Sequence, residues 1–429
     1  MKHTPFYILV CRMKDRVSHI SFLLTFTFTF LLTSCSLRDK HTVVEQRDSA
    51  RLDSSSNVLT KPSVRHLDPI ADIAKYIAGV SGGVGGRYAE LEQNASWKKY
   101  TVSFGQSWAK LDSLKLGKMR RWSDRELHHS NGEVIFYPFS GPDFLNVHCF
   151  FPDASRYVMA ALEPVGSVPD LTKLASRPDT LDKYFSNVNG ALYSLLNFSF
   201  FRTINMAEDL SGDKELDGVL PVLLIFLTKT GNTVTGIHPV EMTPEGTLKE
   251  RAMSAGKSAD GSGVEIAFVS DTKLVRDSAG NLGYVDSSLQ YLDYFSVNIA
   301  DQALKKNDGF VKYAEQLPSF STYLKSASYL MHKNYFSMIR KVILTHSNSV
   351  LQDDSGVPFR FFSDPNDWSV TLYGMYSKPI PLFGNWYQED LKAAFGDSVH
   401  VKRLDFGIGY NWIKGQSNLL LATKKKSGK

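Results

Sequence analysis

Glu133-Val134-Ile135-Phe136-Tyr137, followed by Pro138-Phe139-Ser140-Gly141-Pro142-Asp143 and then Phe144-Leu145-Asn146-Val147-His148-Cys149-Phe150-Phe151, is the stretch that decides the fold. The first run is apolar, rich in β-branched and aromatic residues, and ends at Pro and Gly, so it reads as a buried strand and a turn. Phe144 to Phe151 reads as a helix. Arg156-Tyr157-Val158-Met159-Ala160-Ala161-Leu162 reads as a second strand, ending at Glu163-Pro164. Strand, turn, helix and strand in this order build parallel sheets. Ligands of such sheets bind beyond the C-terminal ends of the strands. Ser140 and Gly141 are therefore candidate ligand-binding residues, and Asp143 and Glu163 candidate acids.

Upstream, Leu67-Asp68-Pro69-Ile70 opens a helix with Asp68 as cap and Pro69 in the first turn. The glycines of Ser81-Gly82-Gly83-Val84-Gly85-Gly86 break it, and Arg87 to about Arg121 carries one or two further helices. Residues 67–128 thus form a helical section packed on a main domain of residues 129–423. Downstream, Leu181 to Phe201 reads as a long helix and Val219 to Leu227 as a buried strand. Val234–Met242, Val264–Val269 and Tyr291–Ile299 read as an antiparallel group. Residues 318–346 read as helical. Short strands are expected near Val350, over Pro358–Phe362 and over Val370–Tyr373, then a helix over Gln388–Phe395, with Phe406–Trp412 closing the domain. The expected fold class is α/β, a mixed parallel and antiparallel sheet with flanking helices and a helical N-terminal section.

The N-terminus reads as an address. Lys2, Arg12, Lys14 and Arg16 precede the apolar run Ile20–Leu32, which is too short to span a bilayer. Leu32-Thr33-Ser34-Cys35 follows. This resembles the lipobox of bacterial lipoproteins, which implies cleavage before Cys35, diacylglycerol on its thiol, and a signal peptide of residues 1–34; Met13 is an alternative start. In that class Ser36 implies the outer membrane, with the periplasmic face favoured over the cell surface. Residues 35–66, with few aromatics and many Ser, Asp, Arg and Lys, read as a tether, and residues 424–429 as a basic tail.

Composition narrows the function. The leader holds four bases and one acid, so removing it lowers the net charge from +5 to about +2. No nucleic-acid partner is expected. Cys11 leaves with the leader and Cys35 is lipidated, so Cys149 is left alone in an apolar context and reads as a buried small hydrophobe. His-x-x-x-His and Cys-x-x-Cys are absent, so no metal is expected. Gly79-Val80-Ser81-Gly82-Gly83 lacks the preceding strand that a nucleophile elbow requires and reads as a helix stop. Ser107-Trp108-Ala109-Lys110 and Lys229-Thr230-Gly231 resemble motifs of penicillin-binding proteins, but no Ser-x-Asn lies between them. Lys229-Thr230-Gly231-Asn232 reads as a hairpin turn.

The Ser140–Asp143 turn, its helix and Glu163 at the tip of the second strand resemble the opening of a methyltransferase-type Rossmann domain, over about thirty residues. Pro138-Phe139-Ser140-Gly141 is similar to the Pro-Phe-x-Gly turn of some DNA methyltransferases. That resemblance implies a cofactor beside Gly141, with ribose hydroxyls on Glu163. Pro142 and Asp143 depart from it, and a nucleotide cofactor is foreign to the periplasm, so none is expected. A second polar concentration, Lys325, Ser326, Ser328, His332, His346, Gln352, Asp353 and Asp354, adds His332 and the paired carboxylates Asp353 and Asp354 as acid–base candidates. Asp353-Asp354-Ser355-Gly356 itself reads as a turn. The leading expectation is a non-catalytic envelope lipoprotein, held by its lipid anchor and binding a glycan or protein. The alternative is a periplasmic hydrolase of envelope polymers, drawing on Asp143, Glu163, His148, His332, Asp353 or Asp354. A third is a methyltransferase-like fold without, or with altered, cofactor use.

Overall fold

A computed structural model describes residues 63–128, 132–176, 178–198, 217–251, 261–397, 399–413 and 415–425. The leader, Cys35 and the tether to residue 62 lie outside the described residues.

The strands of the main sheet are β1 Val134–Pro138, β2 Arg156–Ala161, β3 Asn232–Met242, β4 Leu248–Glu250, β5 Ser262–Ser270, β6 Gln290–Ser296, β7 Phe320–Leu324, β8 Ser347–Gln352, β9 Trp368–Gly374, β10 Val401–Lys402 and β11 Asn418–Lys424. The helices are α1 Ile70–Ile77, α2 Ala95–Leu111, α3 Gly117–Glu126, α4 Phe144–Phe150, α5 Leu171–Ala175, α6 Pro178–Phe198, α7 Leu220–Lys229, α8 Asp301–Leu304, α9 Gly309–Gln316, α10 Ser337–His346 and α11 Glu389–Gly396.

The fold is α/β, as expected, with a mixed sheet in the order β10-β9-β11-β8-β7-β1-β2-β6-β5-β3-β4. Its centre is parallel: β7 pairs with β8 and β1, β1 with β2, and β2 with β6. Antiparallel pairs flank it, β6–β5–β3–β4 on one side and β8–β11–β9 on the other. Side chains alternate across the sheet, as a period of two requires. Ile135, Tyr137, Tyr157 and Met159 join the core under α1–α7. Val134, Phe136, Val158 and Ala160 join a second core under α8–α11. Both faces are covered, which explains why the central strands are continuously apolar. The helical section expected over 67–128 packs into the first core through Tyr76, Trp97, Phe104 and Trp122.

Several expectations are corrected. Val219–Leu227 is helical: α7 has Pro221 in its first turn and is buried on all sides. An apolar run of this length carries no periodicity when every face is covered. Lys229–Asn232 consequently joins the end of α7 to the start of β3, with Gly231 left-handed at φ 80°, and is not a hairpin. The helix expected over 318–346 begins with strand β7 and becomes an α-helix only from Ser337. Phe359–Phe361 is a single 3-10 turn instead of a strand. The domain is closed by β11, not by Phe406–Trp412. The tether's last residues, Arg65–His66, pair antiparallel with Gly283–Tyr284. Lys424, assigned to the basic tail, ends β11, and its Nζ donates to the Leu344 and Thr345 carbonyls at 3.0 and 2.8 Å. Lysine at the C-terminus of a helix (here α10) complements its dipole.

Candidate functional site

The chain turns back on itself between β1 and β7, the topological switch point of an open parallel sheet. A cavity of about 160 Å³ opens there, beyond the C-terminal ends of β1, β2, β6 and β7. Phe139 and Gly141 come from the turn after β1, Leu162 and Glu163 from the end of β2, Asn298 and Ile299 from beyond β6, and Ser326 to Ser328 from beyond β7. Gly141 has φ 51°, and a Cβ there would stand 3.9 Å from Glu163 Oε1. The carboxylate and the bare backbone thus face one another across the crevice.

The backbone is unusual at this place. Four non-glycine residues have positive φ among the described residues: Phe139 (62°), Ser326 (52°), Ser328 (52°) and Tyr329 (54°). All four sit at the tips of β1 and β7. Side chains adopt this region at a cost of order 1–3 kcal/mol each, and such residues cluster at ligand clamps and active sites.

Asp143 lies behind the crevice. Its Oδ1 caps α4, accepting from the Asn146 backbone N–H at 3.3 Å and the Asn146 carboxamide at 2.7 Å. Oδ2 accepts from the Tyr137 hydroxyl at 3.0 Å and pairs with the Lys325 ammonium. Both partners of that pair are buried. Lys115, in the wide turn Asp112–Leu116 between α2 and α3, is buried nearby, and burial pushes its ammonium down to about 7. Asp143 is thus engaged internally, and it supplies its own negative charge where a Rossmann helix would receive a phosphate.

Asp353 and Asp354 follow β8, and burial raises both carboxyls. Asp353 Oδ2 accepts from the Ser326 backbone N–H at 2.9 Å, which fixes the strained loop after β7. Asp354 accepts from Asn418 at 3.0 Å and from the Tyr329 hydroxyl. The expected turn is present, but its acids hold loops together. His332 lies between the rings of Tyr329 and Trp386, and burial pushes it down to about 4. His148 is also pushed down to about 4 by burial and sits 3.2 Å from the Asn232 carboxamide. Ser140 directs both its N–H and its hydroxyl to the Ala160 carbonyl, at 3.1 and 3.4 Å. Cys149 is buried as expected. Ser107 and Lys110 are both exposed on the surface of α2.

Of the sequence-derived candidates, Gly141 and Glu163 therefore meet at the crevice. Ser140 and Asp143 stand just behind it. Asp353 touches it through one hydrogen bond, and His148, His332 and Asp354 serve other packing. Sequence reasoning missed Phe139, Ser326 and Ser328 as crevice walls and Lys325 as the partner of Asp143. The polar segment that holds Lys325, Ser326 and Ser328 was visible, but its place beside the Gly141 turn was not, because Phe320-Ser321-Thr322-Tyr323-Leu324 read as helix. Among the described residues, no group of three His, Cys, Asp or Glu side chains could hold a metal ion. Comparison with protein-family models, with curated proteins and with solved structures finds no match to this chain.

Proposed function

We propose that this chain is a lipid-anchored protein of the bacterial cell envelope whose folded unit binds a small ligand in the switch-point crevice without transforming it. The leader, the four-residue box ending at Cys35 and the tether support the anchor. The observation that carries binding is the concentration of every left-handed non-glycine residue, among those described, around a cavity that holds the buried Glu163 and the bare Gly141. The acid–base candidates outside the crevice are held by internal hydrogen bonds or stand apart, which argues against hydrolysis. The membrane enters as the anchor's partner, and an envelope glycan or protein as the ligand's source. The anchor is tested by feeding cells a clickable palmitate analogue: wild type should be labelled and membrane-bound, and Cys35→Ala neither. A cytosolic, unlabelled chain with its leader intact would refute it.

One observation favours a second reading. The run β6-β2-β1-β7-β8-β11-β9, with β11 reversed, has the strand order and directions of methyltransferase-type Rossmann domains, which the Gly141 turn and Glu163 resemble locally. On this reading Glu163 would hold ribose hydroxyls. Calorimetric titration with S-adenosylmethionine separates the two. Saturable binding that disappears in Gly141→Val and Glu163→Gln would establish the cofactor reading. No binding leaves the crevice to a ligand of another chemistry.

A further inference from the structure

A larger cavity of about 590 Å³ adjoins the crevice, and the two share Leu162, Val297 and Asn298. We propose that this outer groove binds a sugar acid, a polyhydroxylated ring bearing one carboxylate. The proposal deepens the ligand-binding reading and rests on it.

The groove's chemistry is one-sided. Asn298 Oδ1 accepts from the Ala300 backbone N–H at 3.0 Å, and Asn307 Oδ1 from the Gly309 backbone N–H at 3.1 Å. The oxygens of two carboxamides are thus engaged by the chain itself, and what Asn307 offers a ligand is chiefly its Nδ2 donors. Gln302 adds a third carboxamide, exposed on α8, and Lys306 an ammonium that forms no ion pair with any described residue. Donors facing a polar space fit an oxygen-rich ligand. One lysine matches one carboxylate through a charge-assisted hydrogen bond. A phosphate dianion would be left half compensated by the single ammonium that lines the groove. A peptide needs acceptors for its N–H groups, and the Asn298 and Asn307 oxygens each already accept one bond from the chain. Leu162 is 67% exposed at the junction of the two cavities, an apolar surface for the C–H face of a sugar ring.

The test is microcalorimetry on the full-length chain in detergent micelles, with four probes: cellobiuronic acid, cellobiose, glucose 6-phosphate and acetyl-alanyl-alanine. The uronate should bind about tenfold tighter than cellobiose, the worth of one charge-assisted hydrogen bond. Added salt should weaken the uronate and leave cellobiose unchanged. Lys306→Ala should abolish the preference and Lys306→Arg restore it. Equal binding of cellobiose, tighter binding of the phosphate or the dipeptide, or an unchanged preference in Lys306→Ala overturns the proposal. Glu163→Gln and Gly141→Val probe the inner crevice separately. Uronate binding that survives both but falls in Lys306→Ala keeps this site and takes the uronate out of the crevice. Binding lost in both crevice variants but indifferent to Lys306→Ala does the reverse.

Discussion

Replacing Asp143 with Asn should destabilise the fold by about 3–5 kcal/mol, the cost of stranding a buried charge. The side chains of Lys325 and Asp143 are 3% and 1% exposed, so little solvent screens the pair. Without the carboxylate, Lys325 stays buried opposite a neutral amide. Lys115 then becomes a second buried amine, since Asp143 is the carboxylate that favours its charged form. The Tyr137 hydroxyl and the Asn146 carboxamide lose an anionic acceptor as well. With an unfolding entropy of about 2.1 cal/mol/K per residue, the compact unit Lys61–Lys429 would melt about 5 °C lower. Urea unfolding followed by tryptophan fluorescence reads the change directly. The double variant Asp143→Asn/Lys325→Met should recover much of the loss, because it removes the stranded charge with its partner. A single variant within about 1 kcal/mol of wild type, or a double variant no more stable than the single, would refute the assignment of this pair as a coupled buried unit.

His148 gives a pH dependence with a definite sign. Its pKa falls from 6.5 to about 4 on folding, so between those values the unfolded chain holds a proton that the folded chain lacks. Stability should therefore fall as pH drops through that window. His148→Gln, which keeps an acceptor for Asn232, should flatten this limb in urea midpoints taken across it, and an unchanged slope would discount the residue. Gly409→Ala would place a Cβ 2.2 Å from Asp353 Oδ2 at a φ of 71°; a loss of more than about 2 kcal/mol is expected, and thermal melting measures it. Cys149 is 2% exposed and burial pushes its thiol up to about 11, so it should resist a thiol reagent in the native state and react after denaturation; rapid native labelling would contradict its burial.

What the sequence disclosed follows from which signals are local. β1, the Gly141 turn, α4 and β2 were legible because strand length, turn chemistry and apolar pattern agree within thirty residues. α7 and β7 were misread for the same physical reason. Both are buried on every side, so neither Leu220–Lys229 nor Phe320–Leu324 shows an alternation that distinguishes helix from strand. The site inherited that error. Asp143 and Glu163 could be flagged from their own neighbourhood. Lys325, Ser326 and Ser328 acquire their meaning only when β7 lies beside β1, a pairing across nearly two hundred residues of chain. The paired acids Asp353 and Asp354 looked catalytic because sequence shows that they are adjacent, but not that backbone N–H groups and Asn418 already answer them.

The position of β11 bears on how the molecule is made. This strand is inserted between β8 and β9 and is hydrogen-bonded along both edges, so β9 and β10 join the rest of the sheet only once β11 is in place. Asn418–Lys424 acts as a zip between the two parts, and a fusion partner placed directly after Lys424 would be a poor choice of handle.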